Sequence, residues 1–341
     1  MQYKGVVYDI GTEFSPGRST RSSFDPTVVR REIEIIGSDL HCTAIRLCGG
    51  DLARLRETAE YALMQGLTVW FSPLLIDANP DETLRYLSEC SRVAEELRRQ
   101  YPEIVFVVGN ELSFFMKGIL PGDDEYARIR SFVSGRGLLR HLVTRGRWPG
   151  SKLNPFLSKA AATVRNEFDG RITYGSGPWE HVDWQLFDLV SVNYYRDAGN
   201  ARKYRKGLAQ YYTYGKPVAI TEFGCCTYKG AGEKGAAGWN IIDTARARRS
   251  IRGRVVRSEE TQSRYLSDLL SLFMREPIAA AFVFQFAGYN LPTDDDPEFD
   301  LDMASYGIVK VLPEGREGVC YPGMPWEPKL SFQTVADLYT R

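Results

Sequence analysis

The sequence predicts an α/β chain folded as a single (β/α)8 TIM barrel over residues 1–341, and three observations carry that reading. Eight short runs rich in Val, Ile, Phe and Tyr recur along the chain, with amphipathic stretches of helical spacing between most of them. No glycine-rich nucleotide turn follows the first run, where GTEFSPG stands instead, which disfavours an open doubly wound sheet. Alternating strands and helices call for a parallel sheet, and eight repeats favour closure into a ring.

The runs are YKGVVYDI (3–10), CTAIRLCG (42–49), LTVWFSPLL (67–75), EIVFVVGNE (103–111), RITYGSG (171–177), FDLVSVNYY (187–195), PVAITEFG (217–224) and IAAAFVFQF (278–286). Each is short and nearly continuous in apolar residues, as a strand covered on both faces requires. After Asp25-Pro26, apolar residues keep helical spacing to Ile36; Ala53–Met64 and Thr83–Arg98 repeat the pattern, and Leu157–Phe168 fits between the fourth and fifth runs. Ser258 reads as an N-cap, with Glu259 and Glu260 in the first turn of a helix reaching Phe273. Ser331–Tyr339 reads as the last helix. Two connections are long, 112–156 after the fourth strand and 225–257 after the seventh. Neither holds enough apolar residues for a core of its own. Both leave the strand ends where barrels carry their sites, so they read as loops that shape the mouth.

Composition narrows the chemistry. The 43 basic and 43 acidic residues balance, so nothing calls for nucleic acid or another polyanion, and a neutral or small substrate fits better. No apolar run reaches the roughly 20 residues that cross a bilayer, so no membrane partner is expected. The opening MQYKGVVYDIG lacks the pattern of a secretory leader, and six scattered cysteines contain no CxxC pair. Reduced thiols, a cytoplasmic location and a substrate found inside cells follow as expectations. Three histidines without an HxH or HExxH pattern argue against a zinc site, and no lysine stands at an inward strand end for Schiff-base chemistry. No cofactor and no metal are expected. Oligomeric state has no signature here.

The sharpest signal is charge at strand ends. Asn110 and Glu111 close the fourth run and Glu222 nears the end of the seventh. A carboxylate placed directly after apolar strand residues is costly to bury, but at the C-terminal rim of a barrel it points into the site. The fourth and seventh strands stand on opposite sides of an eight-strand ring, so their carboxylates face each other across a sugar-sized gap. Glycoside hydrolysis needs such a pair, and a separation of about 5–5.5 Å would make the reaction retaining.

On these residues the chain resembles the clan A glycoside hydrolases, retaining enzymes with the acid/base on strand 4 and the nucleophile on strand 7. The resemblance covers nearly the whole chain. Its motifs are Asn110-Glu111 in VVGNELS, Glu222 in AITEFG, Arg46 in AIRLCGG and Tyr195, with Tyr194 as the weaker choice, in VNYY. It implies that Glu111 is the acid/base, Glu222 the nucleophile and Asn110 the partner of the sugar 2-hydroxyl. Arg46, Asn193 and Tyr195 complete the substrate-binding set around it. Arg46 and the tyrosine hydroxyl would favour an ionised Glu222, whose charge would keep Glu111 protonated. The sequence departs from the family at strand 8. A Trp is expected there, and FVFQFAGYN carries Phe284, Gln285 and Phe286. Phe286 is taken as the ring under the sugar, with Trp179 of GSGPWEHVDW as a further platform.

Other features read as structural. ARARRSIRGRVVR (245–257) is a solvated loop rather than an anion-recognition element, and TDDDPEFDLD (293–302) is acidic enough to pair with it. Asp77 reads as a loop cap and Cys225-Cys226 as small buried rim residues. The expected function is a retaining glycosidase acting on a small intracellular glycoside through a covalent glycosyl-enzyme. A transglycosylase, a natural-product tailoring enzyme using the same glutamates, and a non-catalytic sugar-binding barrel are the alternatives.

Overall fold

The computed structural model describes residues 1–14, 18–134, 137, 143–144, 149–244 and 248–340. Part of the long connection after the fourth strand and the start of the basic stretch, 245–247, therefore lie outside the described residues.

Eight strands form the barrel: β1 (Tyr3–Gly11), β2 (Ala44–Gly49), β3 (Thr68–Pro73), β4 (Ile104–Asn110), β5 (Arg171–Ser176), β6 (Val190–Asn193), β7 (Val218–Phe223) and β8 (Ile278–Val283). Neighbours in sequence are neighbours in the ring, β8 closes onto β1, and every pairing is parallel. The fold class read from the sequence is the fold observed.

The main helices are α1 (Pro26–Ser38), α2 (Leu52–Met64), α3 (Pro80–Arg98), α4 (Gly150–Arg165), α5 (Tyr204–Ala209), α6 (Glu259–Phe273) and α7 (Leu330–Tyr339). Their starts follow local chemistry. Asp25, Asp51 and Ser258 each accept an N–H from the first turn of α1, α2 and α6. α3 begins earlier than its apolar pattern suggests. Asn79 and Glu82 close a capping box, and Pro80 takes the first helical position, where no N–H is needed. α4 also starts upstream of the expected Leu157. Pro155 lies inside it, yet Leu153 and Phe156 before and after the proline are both buried on the helix face. It ends at Arg165, short of Phe168, which packs as a loop residue on Phe106.

Side chains alternate inward and outward along each strand. The barrel interior is floored by Trp70 and Phe282, ring centroids 4.9 Å apart, with Tyr3 edge-on to Trp70 at 6.5 Å. Gly5 is required beneath them, because a Cβ there would stand 2.5 Å from the Phe282 ring. The larger apolar cluster fills the layer between strands and helices. With the lower interior plugged, the polar residues of β2, β3, β4, β6 and β7 occupy the C-terminal end.

Ionic contacts tie the loops together. Arg248 pairs with Asp294 at 2.5 Å, and Arg257 with Asp300 and Asp302 at 2.9 Å each. Buried Lys329 meets Asp302 at 2.8 Å. Arg248 and Arg257 of the basic stretch thus pair with the acidic one, while Arg249 and Arg252 donate to the Asn290 and Ile242 carbonyls. Asp77 pairs with Arg128 of the helix Glu125–Val133 inside the loop after β4, in keeping with a capping role. No helix of the described residues is long and apolar enough to cross a membrane.

A second polar centre braces the outer layer. Glu32 of α1, with no solvent exposure, accepts from Arg21 at 3.0 Å, from Trp326 Nε1 at 2.7 Å, and from the hydroxyls of Tyr8 and Tyr289. It joins β1 and the segment after it to the segment after β8 and to the antiparallel ribbon of Val309–Val311 with Trp326–Pro328. Truncation of Glu32 would leave Arg21 charged and buried without its partner. Glu32→Ala is expected to destabilise the protein by about 3–5 kcal/mol, read as a lower midpoint in urea unfolding.

Candidate active site

At the C-terminal end of the barrel one cation organises the polar residues. Arg46 of β2 has no solvent exposure. Its Nη1 donates to Glu222 Oε1 at 2.9 Å and to the Thr221 carbonyl at 3.1 Å. Its Nη2 donates to Asn110 Oδ1 at 2.8 Å and to Ser72 Oγ at 3.2 Å. β2, β3, β4 and β7 therefore meet on one guanidinium. Gly175 of β5 leaves the room, since a Cβ there would stand 2.4 Å from Asn110 Oδ1.

Strict alternation would turn Asn110 away from the interior, because Val105 and Val107 already face inward. The β4–β5 register shifts between Val107 and Asn110, and the β6–β7 register shifts between Val192 and Asn193, opposite Glu222. Such bulges re-aim side chains. They bring Asn110 and Glu222 onto the inner face, where both contact Arg46.

Asn193 links the two halves. Its Nδ2 donates to Asn110 Oδ1 at 3.1 Å and to Glu111 Oε1 at 2.9 Å, while its Oδ1 accepts from Thr221 Oγ1 at 2.8 Å. A continuous chain thus runs Glu222–Arg46–Asn110–Asn193–Glu111. Tyr195 donates to Glu222 Oε2 at 3.1 Å, so each oxygen of Glu222 has a donor. Burial, then the Glu222 charge, push the Tyr195 phenol far above its ordinary value and keep it a donor. Tyr194 faces away, packed on Tyr204 at 4.6 Å.

The surroundings of Glu111 differ. Burial first, then the negative charge of Glu222, raise its carboxyl well above the usual carboxylate range, while the Asn193 hydrogen bond opposes them. Glu111 therefore holds a proton at pH values where an ordinary glutamate has lost it.

The sequence-derived set separates into two groups. Arg46, Asn110, Glu111, Asn193, Tyr195 and Glu222 lie in one hydrogen-bonded network. Trp179 and Phe286 lie outside it. Phe286 is fully buried behind the barrel wall, between Tyr8 at 6.0 Å and Trp326 at 5.3 Å, so it offers no face to a ligand. Phe284 takes the place expected of it: half-buried, joined to Phe282 by a cluster on the inner face, and edge-on to Tyr195 at 6.5 Å. The Phe284–Gln285 peptide bond is cis. Trp179 stacks on Phe114 at 4.6 Å and donates to Ser113 Oγ at 3.1 Å, supporting the segment after β4.

The sequence reading missed Glu180, Tyr174, Ser72 and Tyr306. Glu180 and Tyr174 contact the backbone just after Glu111, and Tyr306 meets Tyr195 and Phe284 at 5.9 and 5.7 Å. None carries a local pattern that marks it. On the rim, Tyr126 from the loop after β4 and Trp239 from the loop after β7 come within 6.3 Å, both well exposed. Gly238, the residue before Trp239, donates to the Tyr306 hydroxyl at 3.0 Å, which ties the loop after β7 to the Tyr306–Phe284 pair. Among the described residues no group of three His, Cys, Asp or Glu side chains is placed to share a metal ion.

The electrostatics can be read directly. With carbon-13-labelled glutamate, the Glu111 resonance, identified by its loss in Glu111→Gln, is expected to titrate above the normal range. Glu222→Gln removes a negative neighbour, so the titration of Glu111 should move to lower pH. An unmoved midpoint would show that the two carboxyls do not sense each other.

No protein-family model matches the chain, and no curated protein sequence matches it. Solved structures do match its fold. A GH113 beta-1,4-mannanase superposes with TM-score 0.62 at 14% identity, over 100% of this chain and 99% of that one. The GH113 beta-mannanase AaManA from Alicyclobacillus acidocaldarius gives 0.59 at 16% identity, over 100% and 98%. The beta-glucuronidase of Parabacteroides merdae gives 0.60 at 13%, over 100% of this chain and 37% of that one. The similarity is one of fold: the chain is a (β/α)8 barrel, the fold it shares with these glycoside hydrolase structures.

Proposed function

We propose that this protein is a retaining glycoside hydrolase that acts on a small glycoside, with Glu222 as nucleophile and Glu111 as acid/base. The observation that carries this reading is the pair of unlike carboxyls on one hydrogen-bonded chain. Glu222 accepts from a guanidinium and a phenol, while Glu111 accepts from a neutral carboxamide, and burial with the Glu222 charge raises its carboxyl well above the usual range. Divergent environments of this kind divide the roles of acid and nucleophile.

In the first step a Glu222 oxygen attacks the anomeric carbon while Glu111 gives its proton to the departing oxygen. The old C–O bond breaks, and a glycosyl ester forms on Glu222. In the second step Glu111, now ionised, takes a proton from water. The hydroxide attacks the anomeric carbon from the face the leaving group left, and Glu222 is released as carboxylate. Asn110 uses its carboxamide oxygen for Arg46 and Asn193, which leaves its amide N–H groups to donate to the sugar 2-hydroxyl. The Phe284 ring supplies the apolar face of the sugar site, and Trp239 with Tyr126 receives the aglycone at the rim. The balanced charge of the chain suits a neutral sugar, and the barrels of similar fold include mannanases. All six cysteines are unpaired, which fits a reducing, cytoplasmic setting.

A panel of aryl glycosides tests the proposal. Wild type should turn over at least one of them with the product formed in the substrate's anomeric configuration. Glu222→Ala should be inactive until azide is added, and should then yield the glycosyl azide of inverted configuration. Glu111→Ala should lose about 10²–10⁴-fold on poor leaving groups. A 2-fluoro sugar should label Glu222. Silence across the panel, with sugar binding retained, would favour the binding or tailoring alternatives.

The rim makes a separate prediction. Trp239→Ala should raise KM for aryl glycosides about 3–10-fold, the worth of one lost stacking contact. Its kcat should stay near the wild-type value, measured by initial rates on the same substrates.

A further inference from the structure

We propose that Glu180 is a positioning residue that holds Glu111 in a left-handed backbone conformation with its carboxyl across the mouth from Glu222. This rests on the reading of Glu111 as the acid/base. Glu111 has φ 44° and ψ 44°, a region that non-glycine residues rarely occupy. Such a conformation costs about 1–3 kcal/mol and persists only where its surroundings over-determine it.

The surroundings here are specific. The Glu111 N–H donates to the Gly175 carbonyl at 2.8 Å. Next, the Leu112 N–H donates to the Tyr174 hydroxyl at 2.8 Å, and the Ser113 N–H donates to Glu180 Oε1 at 3.0 Å. The Phe114 N–H then returns to the Glu111 carbonyl at 2.8 Å. Four consecutive backbone donors are satisfied in series, two of them by Glu180 and the tyrosine it holds. The Tyr174 hydroxyl lies 3.0 Å from both Glu180 oxygens, and Glu180 Oε2 also accepts the Gly177 N–H at 3.0 Å. One carboxylate therefore clamps the end of β5 to the turn that carries Glu111.

Its charge adds a second effect. Glu180 is 7% exposed, and its partners are two backbone N–H groups, the Ser113 hydroxyl and a phenol, none of them a cation; burial raises its carboxyl against the pull of these donors. A carboxamide has a single acceptor oxygen and could take only one of the two N–H groups, so the brace itself calls for a carboxylate. When Glu180 is ionised, its charge acts on Glu111 in the same sense as that of Glu222: it disfavours ionisation, behind the larger effects of burial and Glu222 itself. Glu180 thus places the acid and helps it keep the proton it must deliver.

Two variants and two substrates separate this role from simple bracing. Glu180→Gln keeps size but removes the charge and one of the two acceptor oxygens, and Glu180→Ala removes the whole clamp. A phenyl glycoside needs a proton on its leaving oxygen, whereas a dinitrophenyl glycoside does not. Glu180→Ala should lower kcat/KM about 10²-fold on the phenyl substrate and no more than about threefold on the dinitrophenyl one. Glu180→Gln should fold like wild type, lose less, and move the alkaline limb of the pH profile to lower pH. Equal losses on both substrates, or an alkaline limb that does not move in Glu180→Gln, would overturn the proposal. Should wild type turn over neither substrate, the hydrolase reading fails on its own. The carbon-13 titration of Glu111 then decides the matter without activity: an unchanged midpoint in Glu180→Gln overturns the proposal there as well.

Discussion

A guanidinium that has no access to water sets the terms for the rest of this barrel. Arg46 cannot shed its proton, and taking an ion out of water costs several kcal/mol unless partners replace the solvent. The chain meets that demand with a carboxylate, a carboxamide, a hydroxyl and a backbone carbonyl drawn from β3, β4 and β7. Because the planar fork of an arginine fixes the directions of its donors, satisfying Arg46 also fixes where Glu222 and Asn110 lie. The small residue at 175 and the bulges in β4–β5 and β6–β7 are what this arrangement requires of the backbone.

The same cation creates the difference between the two glutamates. Glu222 sits directly on it, and Tyr195 takes the other oxygen. Glu111 is reached only through two asparagines, neither of which carries charge. Burial and the neighbouring carboxylates therefore dominate at Glu111, and the distant Arg46 is the weakest of the influences on it. A pair of chemically identical side chains thus stands in two unlike environments by position alone.

The loops around the mouth are held by further buried charges. Glu32 with Arg21, and Lys329 with Asp302 and Arg257, each join segments far apart in sequence. Buried ion pairs of this kind add little net stability, since desolvation offsets most of their attraction. What they supply is a defined geometry, because an alternative packing would strand a charge. That geometry also seats the loop after β7 on Tyr306, which meets Phe284 at 5.7 Å.

How much of this was legible in the residues depends on the range of the interaction that decides each feature. Strand order, parallel pairing and the positions of Glu111 and Glu222 at strand ends follow from local patterns. An apolar run closed by a carboxylate is meaningful wherever it occurs, because burying that charge idly is costly. Helix starts were legible where a cap is local, as at Ser258, and less so at α4, where Pro155 masks an apolar face that continues across it. The site departed from the linear reading at Phe286, at Trp179 and at Glu180. Alternation along β8 carries Ala280, Phe282 and Phe284 to the inner face and ends there, so the inward ring is Phe284 and Phe286 is buried outside the barrel. Glu180 is one charged residue in a loop, and only the approach of β5 to the turn after β4 gives it a role. The sequence by itself determined which residue types arrive at the mouth, since that depends on hydrophobic periodicity along one chain. Which of them face one another was decided only by tertiary structure, because bulges, registers and the demands of a buried cation are properties of strands already paired.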